Sequence, residues 1–200
     1  MIVLPEPKLQ GRMSLEESLA KRETVRSFQP KNLTLHRLSQ LLWAAYGMNP
    51  TMQGKRTAAS AGALYPLDIY VVVGEEGVEG LGSGVYHYVP HRHALVIVNP
   101  GDVRKEVATA SLWQTWMAEA PVMVVIAAEY RRTTAKYGER GVRYVHMEAG
   151  HAGQNVFLES VAMGLGAGIV GAFHDDEVAT VLGLPGQHEP LLVMPVGYPR

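Results

Sequence analysis

The chain has 200 residues, 47% of them hydrophobic, a formal net charge of −1 and no cysteine. That balance excludes a global field attracting nucleic acid or an anionic membrane, and it excludes disulfides, thiolate metal sites and cysteine nucleophiles. The length fits one domain spanning 1–200 with a sizeable core, and the lack of thiols fits a reducing cytoplasm.

The N-terminal MIVLPEPKLQ has neither a basic segment nor a long apolar run, so it is not read as a signal peptide. Ser14 opens SLEESLAKR, a short helix with acids early and bases late. Thr34 caps LHRLSQLLWAAYG, in which Leu35, Leu38, Leu41, Leu42 and Ala45 share a face and Gly47 stops the helix. Residues 48–63 are rich in Gly, Ala and Ser and read as a loop. IYVVVG (69–74) is a buried strand. GVYHYVP and HALVIVNP form a hairpin turning at Pro90–Arg92, which leaves His87, His91 and His93 exposed. Asp102 starts a helix to about Ser111. PVMVVIAAEY (121–130) is a second central strand, too short to cross a membrane. The stretch 130–142 reads as a loop. Residues 142–164 carry the longest helical pattern, apolar over much of its surface. A strand-like IVGAF follows, then the helix DDEVATVLG and the strand LLVMPVGYP. Strands mixed with helices around a hairpin give an α+β fold rather than a doubly wound one.

Two motif matches fail on mechanism. Gly166-x-Gly168-x-x-Gly171 has the letters of a dinucleotide fingerprint, but that motif needs a strand before the glycines and a helix starting at them. Here the order is inverted, and the glycines read as a helix stop with close backbone packing. His146 and His151 are five apart, about 140° around a helix, so they cannot share a tetrahedral metal without breaking it. No metal site is expected, and Ser60 in AASAGA lacks the surroundings of a serine nucleophile.

Three features remain. In KRETVRSF (21–28), β-branched Thr24 and Val25 favour extended backbone. Arg22, Thr24 and Arg26 then project together while Val25 turns away. Two guanidiniums and a hydroxyl suit a dianionic phosphate; the plainer alternative is a basic face pairing with Glu16 or Glu17. In KRTAASAGALYPLDIYVVV (55–73), the small residues Ala58 to Ala63 let main-chain groups approach something flat at a strand end. In the long helix, Ala149, Gly150, Ala152 and Gly153 make one part thin. Core packing explains Val156, Leu158, Val161 and Met163, but Gln154 and Asn155 are amides that need partners if buried. Gly171 and Ala172 can offer N–H groups to an acceptor.

In chain order these segments resemble the nitroreductase family of flavin enzymes, and most closely its SagB-type (thiazoline-oxidase-like) dehydrogenases. The matching residues are Arg22-Glu23-Thr24-Val25-Arg26-Ser27-Phe28, Ser60-Ala61-Gly62-Ala63-Leu64-Tyr65-Pro66-Leu67-Asp68-Ile69-Tyr70, Glu148 to Asn155, Gly164 to Gly166, Gly171 to Phe173, and the closing PVGYP. The resemblance spans about residues 14–199. It implies a mostly antiparallel central sheet flanked by helices, with the long helix in the core or at the interface of an intertwined homodimer. It also implies FMN.

By the same resemblance, Arg22, Glu23, Thr24 and Arg26 meet the phosphate and ribityl chain. Ser60, Ala61 and Gly62 approach the isoalloxazine ring, often from the partner subunit. Gln154 contacts ribityl or ring, and Gly171 and Ala172 donate near N5 and O4. Arg200 is placed to reach the phosphate. Tyr65, Tyr137 and Arg140 are candidates for the acceptor pocket, and no side chain is required as acid or base. The implied activity is ping-pong hydride transfer from NAD(P)H to a small quinone-like or nitro-type acceptor, or oxidation of a small heterocycle. Azoline oxidation in a modified peptide and a non-catalytic flavin-binding role are the open alternatives.

Overall fold

The seven apolar residues Val122–Ala128 form a strand buried on both faces, and the sheet is built outward from it. In the computed structural model, which describes residues 1–200, the strands are β1 (Ile2–Val3), β2 (Leu67–Val73), β3 (Gly84–Val89), β4 (Ala94–Pro100), β5 (Val122–Ala128), β6 (Gly166–Ala167) and β7 (Glu189–Gly197). They lie in the order β1-β4-β3-β2-β5-β7-β6, and every neighbouring pair is antiparallel. The helices are α1 (Leu15–Lys21), α2 (Leu35–Tyr46), α3 (Arg104–Ala110), α4 (Arg131–Tyr137), α5 (Arg140–Ala162) and α6 (Asp175–Leu182).

Alternation along β2 sorts the layers. Leu67, Ile69, Val71 and Val73 face one core with Leu38, Leu41 and Leu42 of α2 and Val145, Ala149, Ala152 and Val156 of α5. Tyr70 and Val72 face a second core with Val107 and Ala108 of α3 and Val178 and Leu182 of α6. Burying one such aliphatic side chain stabilises the fold by roughly 1.5–3 kcal/mol, so the two cores hold the helices on opposite faces. The expected caps are present. Ser14 Oγ accepts from Glu17 N at 3.1 Å, and Thr34 Oγ1 accepts from Arg37 N at 3.3 Å.

Three expectations need correction. The stretch 130–142 contains a helix, α4, because Tyr130 carbonyl accepts from Thr133 N and Thr134 N and so begins a helical turn. The strand after the long helix is Gly166–Ala167, and IVGAF adds only the bridge Val170–Val193. His87 and His93 are half-buried, held by Asp68 at 2.9 Å and by Ser39 and Tyr88 at 2.7 and 2.8 Å. The long helix lies in the core as expected, through one face, and Arg143, Met147, Gly150 and Gln154 form an exposed stripe along it. No helix is long and apolar enough to cross a membrane.

Candidate functional site

KRETVRSF leaves α1 at Lys21 and extends; Arg22 has φ −62°, ψ 120°. Val25 N donates to Ala167 O at 2.9 Å, so the stretch lies along β6. Only glycine permits that approach. A Cβ on Gly166 would stand 2.5 Å from Val25 Cγ2, and one on Gly168 would stand 2.6 Å from the Trp116 ring. The glycines of GLGAG thus serve close packing, and Gly164, at φ +69°, follows the end of α5. Arg22 lies over the Phe157 ring at 5.2 Å and Arg26 over Trp116 at 5.9 Å. Neither guanidinium is in an ion pair, because Glu17 takes Lys21 at 2.6 Å instead. Thr24 is half-buried and Glu23 exposed. Arg200 N donates to Ser27 O at 3.2 Å, which places the last residue beside the stretch. Its guanidinium, however, is 3.5 Å from Glu119.

The turn at Gly171–Ala172 sits beside the same face of α5. Leu192 links them: its Cδ1 is 3.4 Å from a Cβ built on Gly153, and its Cδ2 is 3.8 Å from one built on Gly171. The N–H groups of Gly171 and Ala172 donate to no protein acceptor. Gln114 Nε2 donates to Ala172 O at 3.3 Å and to Ser111 O at 3.0 Å, bracing the turn from α3's side. Sequence reasoning passed over Gln114, which carries no motif signal. Phe157 follows Gly153 by four residues and so neighbours it on the helix surface. Arg22, Phe157, Gly153, Leu192 and Gly171 therefore form one line of neighbours, with Phe157 and Gly153 buried along it. Gln154 is exposed next to it, not buried. Asn155 is the amide with a partner, the Ala44 carbonyl at 3.0 Å.

The loop from Ser60 to Tyr65 is built differently. Gly62, Ala63 and Tyr65 have φ of 61°, 54° and 49°, a region costly for non-glycine residues. A Cβ on Gly62 would stand 2.7 Å from Tyr137 Oη and 3.2 Å from Lys136 Nζ. The structure thus brings Tyr137 to the loop and adds Lys136, which the sequence reading had left inside an unplaced loop. Arg140 is exposed and lies over Tyr144 at 5.9 Å, and the Tyr144 ring meets Tyr137 edge-on at 5.2 Å. Tyr65 stacks on Arg56 at 4.8 Å. Behind the loop, Glu148 is 2% exposed and accepts from the Tyr46 hydroxyl. Burial raises the Glu148 carboxyl above the ordinary carboxylate range; Ser60, Tyr46, Arg56 and His151 pull it partly back. His151 Nδ1 lies 3.1 Å from Ala59 O. His151 and Phe157 stand about 120° apart around α5, so within one chain the loop and the Arg22 surface occupy different faces.

A second polar cluster was also missed. Asp68 on β2 lies 2.7 Å from Arg132 Nη1, 2.9 Å from His87 Nε2 and 3.5 Å from His188 Nε2. The Tyr70 hydroxyl lies 2.7 Å from His188 Nδ1. Arg132 also reaches Glu129 at 2.8 Å and the Tyr65 carbonyl at 3.4 Å. Burial would raise the Asp68 carboxyl, but the His87 hydrogen bond and the charges of Arg132 and His188 win and lower it. The available signal was an acid at an alternating position of an otherwise apolar strand.

The nitroreductase family model matches residues 19–198. The chain belongs to the nitroreductase family. The match covers every candidate residue named above except Arg200. A protein of Methanocaldococcus jannaschii named as a nitroreductase is 48% identical over 92% of this chain and 91% of its own length. The microcin B17-processing protein McbC of Escherichia coli is 28% identical over 79% of this chain and 60% of that protein. Among solved structures, a Ralstonia eutropha nitroreductase superposes with a TM-score of 0.84 at 29% identity, covering 100% of this chain and 89% of that one. A chain of the Escherichia coli microcin synthetase McbBCD complex with truncated pro-MccB17 bound gives 0.76 at 26% identity, covering 100% and 79%. The SagB-type resemblance and the nitroreductase fold both stand.

Proposed function

We propose that the protein is an FMN-dependent oxidoreductase. In this reading it transfers hydride from NAD(P)H to a small quinone-like or nitro-type acceptor, or oxidises a small heterocycle, by a ping-pong scheme in the cytoplasm. One observation carries the reading. The unpaired Arg22 guanidinium lies at one end of a line of neighbours, unpaired Arg26 follows four residues on in the same extended stretch, and two unpaired main-chain N–H groups lie at the other end of the line. That donor set fits a phosphate tail and an electron-rich ring edge. Bound FMN would supply two-electron transfer between a nicotinamide donor and an organic acceptor.

The chain's own residues do the rest. Arg22 and Arg26 bind the phosphate by charge-assisted hydrogen bonds, with Thr24 and the Glu23 backbone completing the grip. Gly171 and Ala172 donate N–H groups where negative charge accumulates, and Gln114 keeps that turn in place. Gln154 faces the ribityl chain. Ser60, Ala61 and Gly62 come to the ring from a second copy, because their loop and the Arg22 surface lie on different faces of α5. The exposed stripe Arg143–Met147–Gly150–Gln154 is the matching contact in a homodimer. Tyr65 and Tyr137 wall the acceptor space and exclude water, with Arg140 at its rim. Arg200 reaches the phosphate by leaving Glu119, a weak exposed pair.

The visible spectrum of the purified protein tests the reading. A visible flavin band that NADH or NADPH bleaches, and that an acceptor restores, is the expected result. Protein that is colourless and takes up no FMN defeats the proposal, and flavin that neither nucleotide bleaches would point to a binding role without turnover. A second reading, dehydrogenation of azolines in a modified peptide, draws support from the likeness to McbC. The higher identity and coverage of the nitroreductase relatives favour the first.

A further inference from the structure

Glu148 does no work that an apolar residue would not do better for the fold. It lies on the buried face of α5 among Val145, Ala149 and Ala152, where a carboxylate costs several kcal/mol to desolvate. What it touches explains it. Ser60 Oγ accepts from Tyr65 N at 2.9 Å, and Ser60 is one of the polar groups that face the Glu148 carboxyl. Tyr46 donates to Glu148, and its oxygen accepts from Leu67 N at 3.3 Å. Glu148 therefore holds the Leu67 end of Ser60–Leu67 through Tyr46, and its carboxyl faces Ser60 at the other end. Between them lie the three left-handed residues Gly62, Ala63 and Tyr65. Arg56, stacked on Tyr46 at 4.3 Å and Tyr65 at 4.8 Å, clamps the two rings. Strained backbone of this kind persists only when its surroundings over-determine it.

We propose that Glu148 is the positioning residue of the flavin-facing loop: a carboxylate latch on α5 that fixes the strained Ser60–Tyr65 turn from behind, without itself touching the cofactor. The inference rests on the flavin reading only for what the loop faces; the latch is a property of the protein alone. The groups around Glu148 are Tyr46 from α2, Arg56 and Ser60 from the loop, and His151 from α5. Glutamine keeps an acceptor for Tyr46 and Ser60; alanine removes it.

The test compares Glu148→Ala, Glu148→Gln and Ser60→Ala. Hydrogen exchange of the flavin-free protein reads the Tyr65 N–H. Glu148→Ala should speed its exchange at least about tenfold relative to wild type, Ser60→Ala should do the same, and Glu148→Gln should leave it near wild type. With FMN added, Glu148→Ala should shift the visible circular dichroism of the bound flavin and slow its reduction about 100-fold, the scale of a misplacement of about 1 Å. Glu148→Gln should restore both. Exchange and spectrum unchanged in Glu148→Ala overturn the proposal; if that variant does not fold, unchanged exchange in Ser60→Ala overturns it. Wild-type protein that takes up no FMN defeats the flavin reading instead, and the exchange measurement still decides the latch.

Discussion

Burial has opposite outcomes for two carboxylates of this molecule, Glu148 and Asp68. Glu148 is 2% exposed and its carboxyl is raised, with desolvation the largest cause. The Asp68 side chain is 11% exposed and desolvation acts on it too, yet its carboxyl is lowered. The difference lies in the partners. Asp68 faces a guanidinium at 2.7 Å and two imidazoles. Glu148 faces hydroxyl donors, while the nearby cation, Arg56, is held on the Tyr46 and Tyr65 rings. At Asp68 the His87 hydrogen bond and the charges of Arg132 and His188 together overcome desolvation; at Glu148 the hydroxyls, Arg56 and His151 offset it without reversing it. Asp68 thus ties the start of β2 to Arg132 of α4 and belongs to the fold. Glu148 spends stability on the shape of a loop, as functional groups tend to.

Breaking the Asp68 side should have the largest effect. Asp68→Asn removes the charge that Arg132, His87 and His188 share, and leaves Arg132 with Glu129 alone. A loss of about 3 kcal/mol in unfolding free energy is expected, measured by urea denaturation at pH 7. A loss under about 1 kcal/mol would mean that solvent around Arg132, whose side chain is 33% exposed, screens the pair.

Arg22 and Arg26 supply the third case, cations with no carboxylate at all. Removing them should leave the fold almost untouched and weaken FMN binding. Arg22→Ala or Arg26→Ala should each cost about 1.5–3 kcal/mol of affinity, the scale of a hydrogen bond to a charged group. Titration of the flavin-free protein with FMN measures it. Unchanged affinity in both variants removes the phosphate assignment.

These cases also mark what was legible from residues alone. Caps, the hairpin and the central strands were legible because each rests on local chemistry: Ser14, Thr34, the Pro90–Arg92 turn, the apolar run at 122–128. The extended course of the Arg22–Arg26 stretch was legible because Thr24 and Val25 are β-branched. The Asp68 cluster was not, because β2, β3, α4 and the segment before β7 meet there from positions 68, 87, 132 and 188. Alternation put Asp68 on a face but could not say which side chains wait on it. Lys136 was hidden for a related reason, since α4 packs against Gly62 only in three dimensions. Gln114 lies on no periodic pattern and is defined solely by the turn it braces.

Acid should sharpen the contrast by a smaller amount. Asp68 is lowered, so its contribution is present above its ordinary 3.8 and is lost as pH falls through its folded value. His188 is lowered from 6.5, first by burial, while Asp68's charge pushes it back up. Its neutral form is the one the fold prefers, so stability falls as pH drops below about 6.5. In Asp68→Asn that upward push is gone, and the decline between pH 6.5 and 4 should steepen by about 1 kcal/mol over the interval. Parallel profiles for the two proteins would show that His188 does not sense Asp68.

The smallest effect should come from Glu148→Gln, and its sign is what separates the two carboxylates. A carboxyl raised in the folded state binds its proton more tightly there than in the unfolded chain. Its stabilising contribution is therefore complete below the ordinary 4.5 and is lost as pH rises through the folded value. Glutamine has the same shape and no charge, and it can still accept from Tyr46, so it escapes that loss. Thermal midpoints at pH 5 should be close for the two proteins. At pH 8 the variant should match or exceed wild type, by up to about 1 kcal/mol. A variant less stable than wild type at pH 8 by more than that would mean the Glu148 charge pairs with Arg56 strongly enough to support the fold. Glu148 would then belong with Asp68, and the loop would be held by an ion pair rather than by hydroxyls.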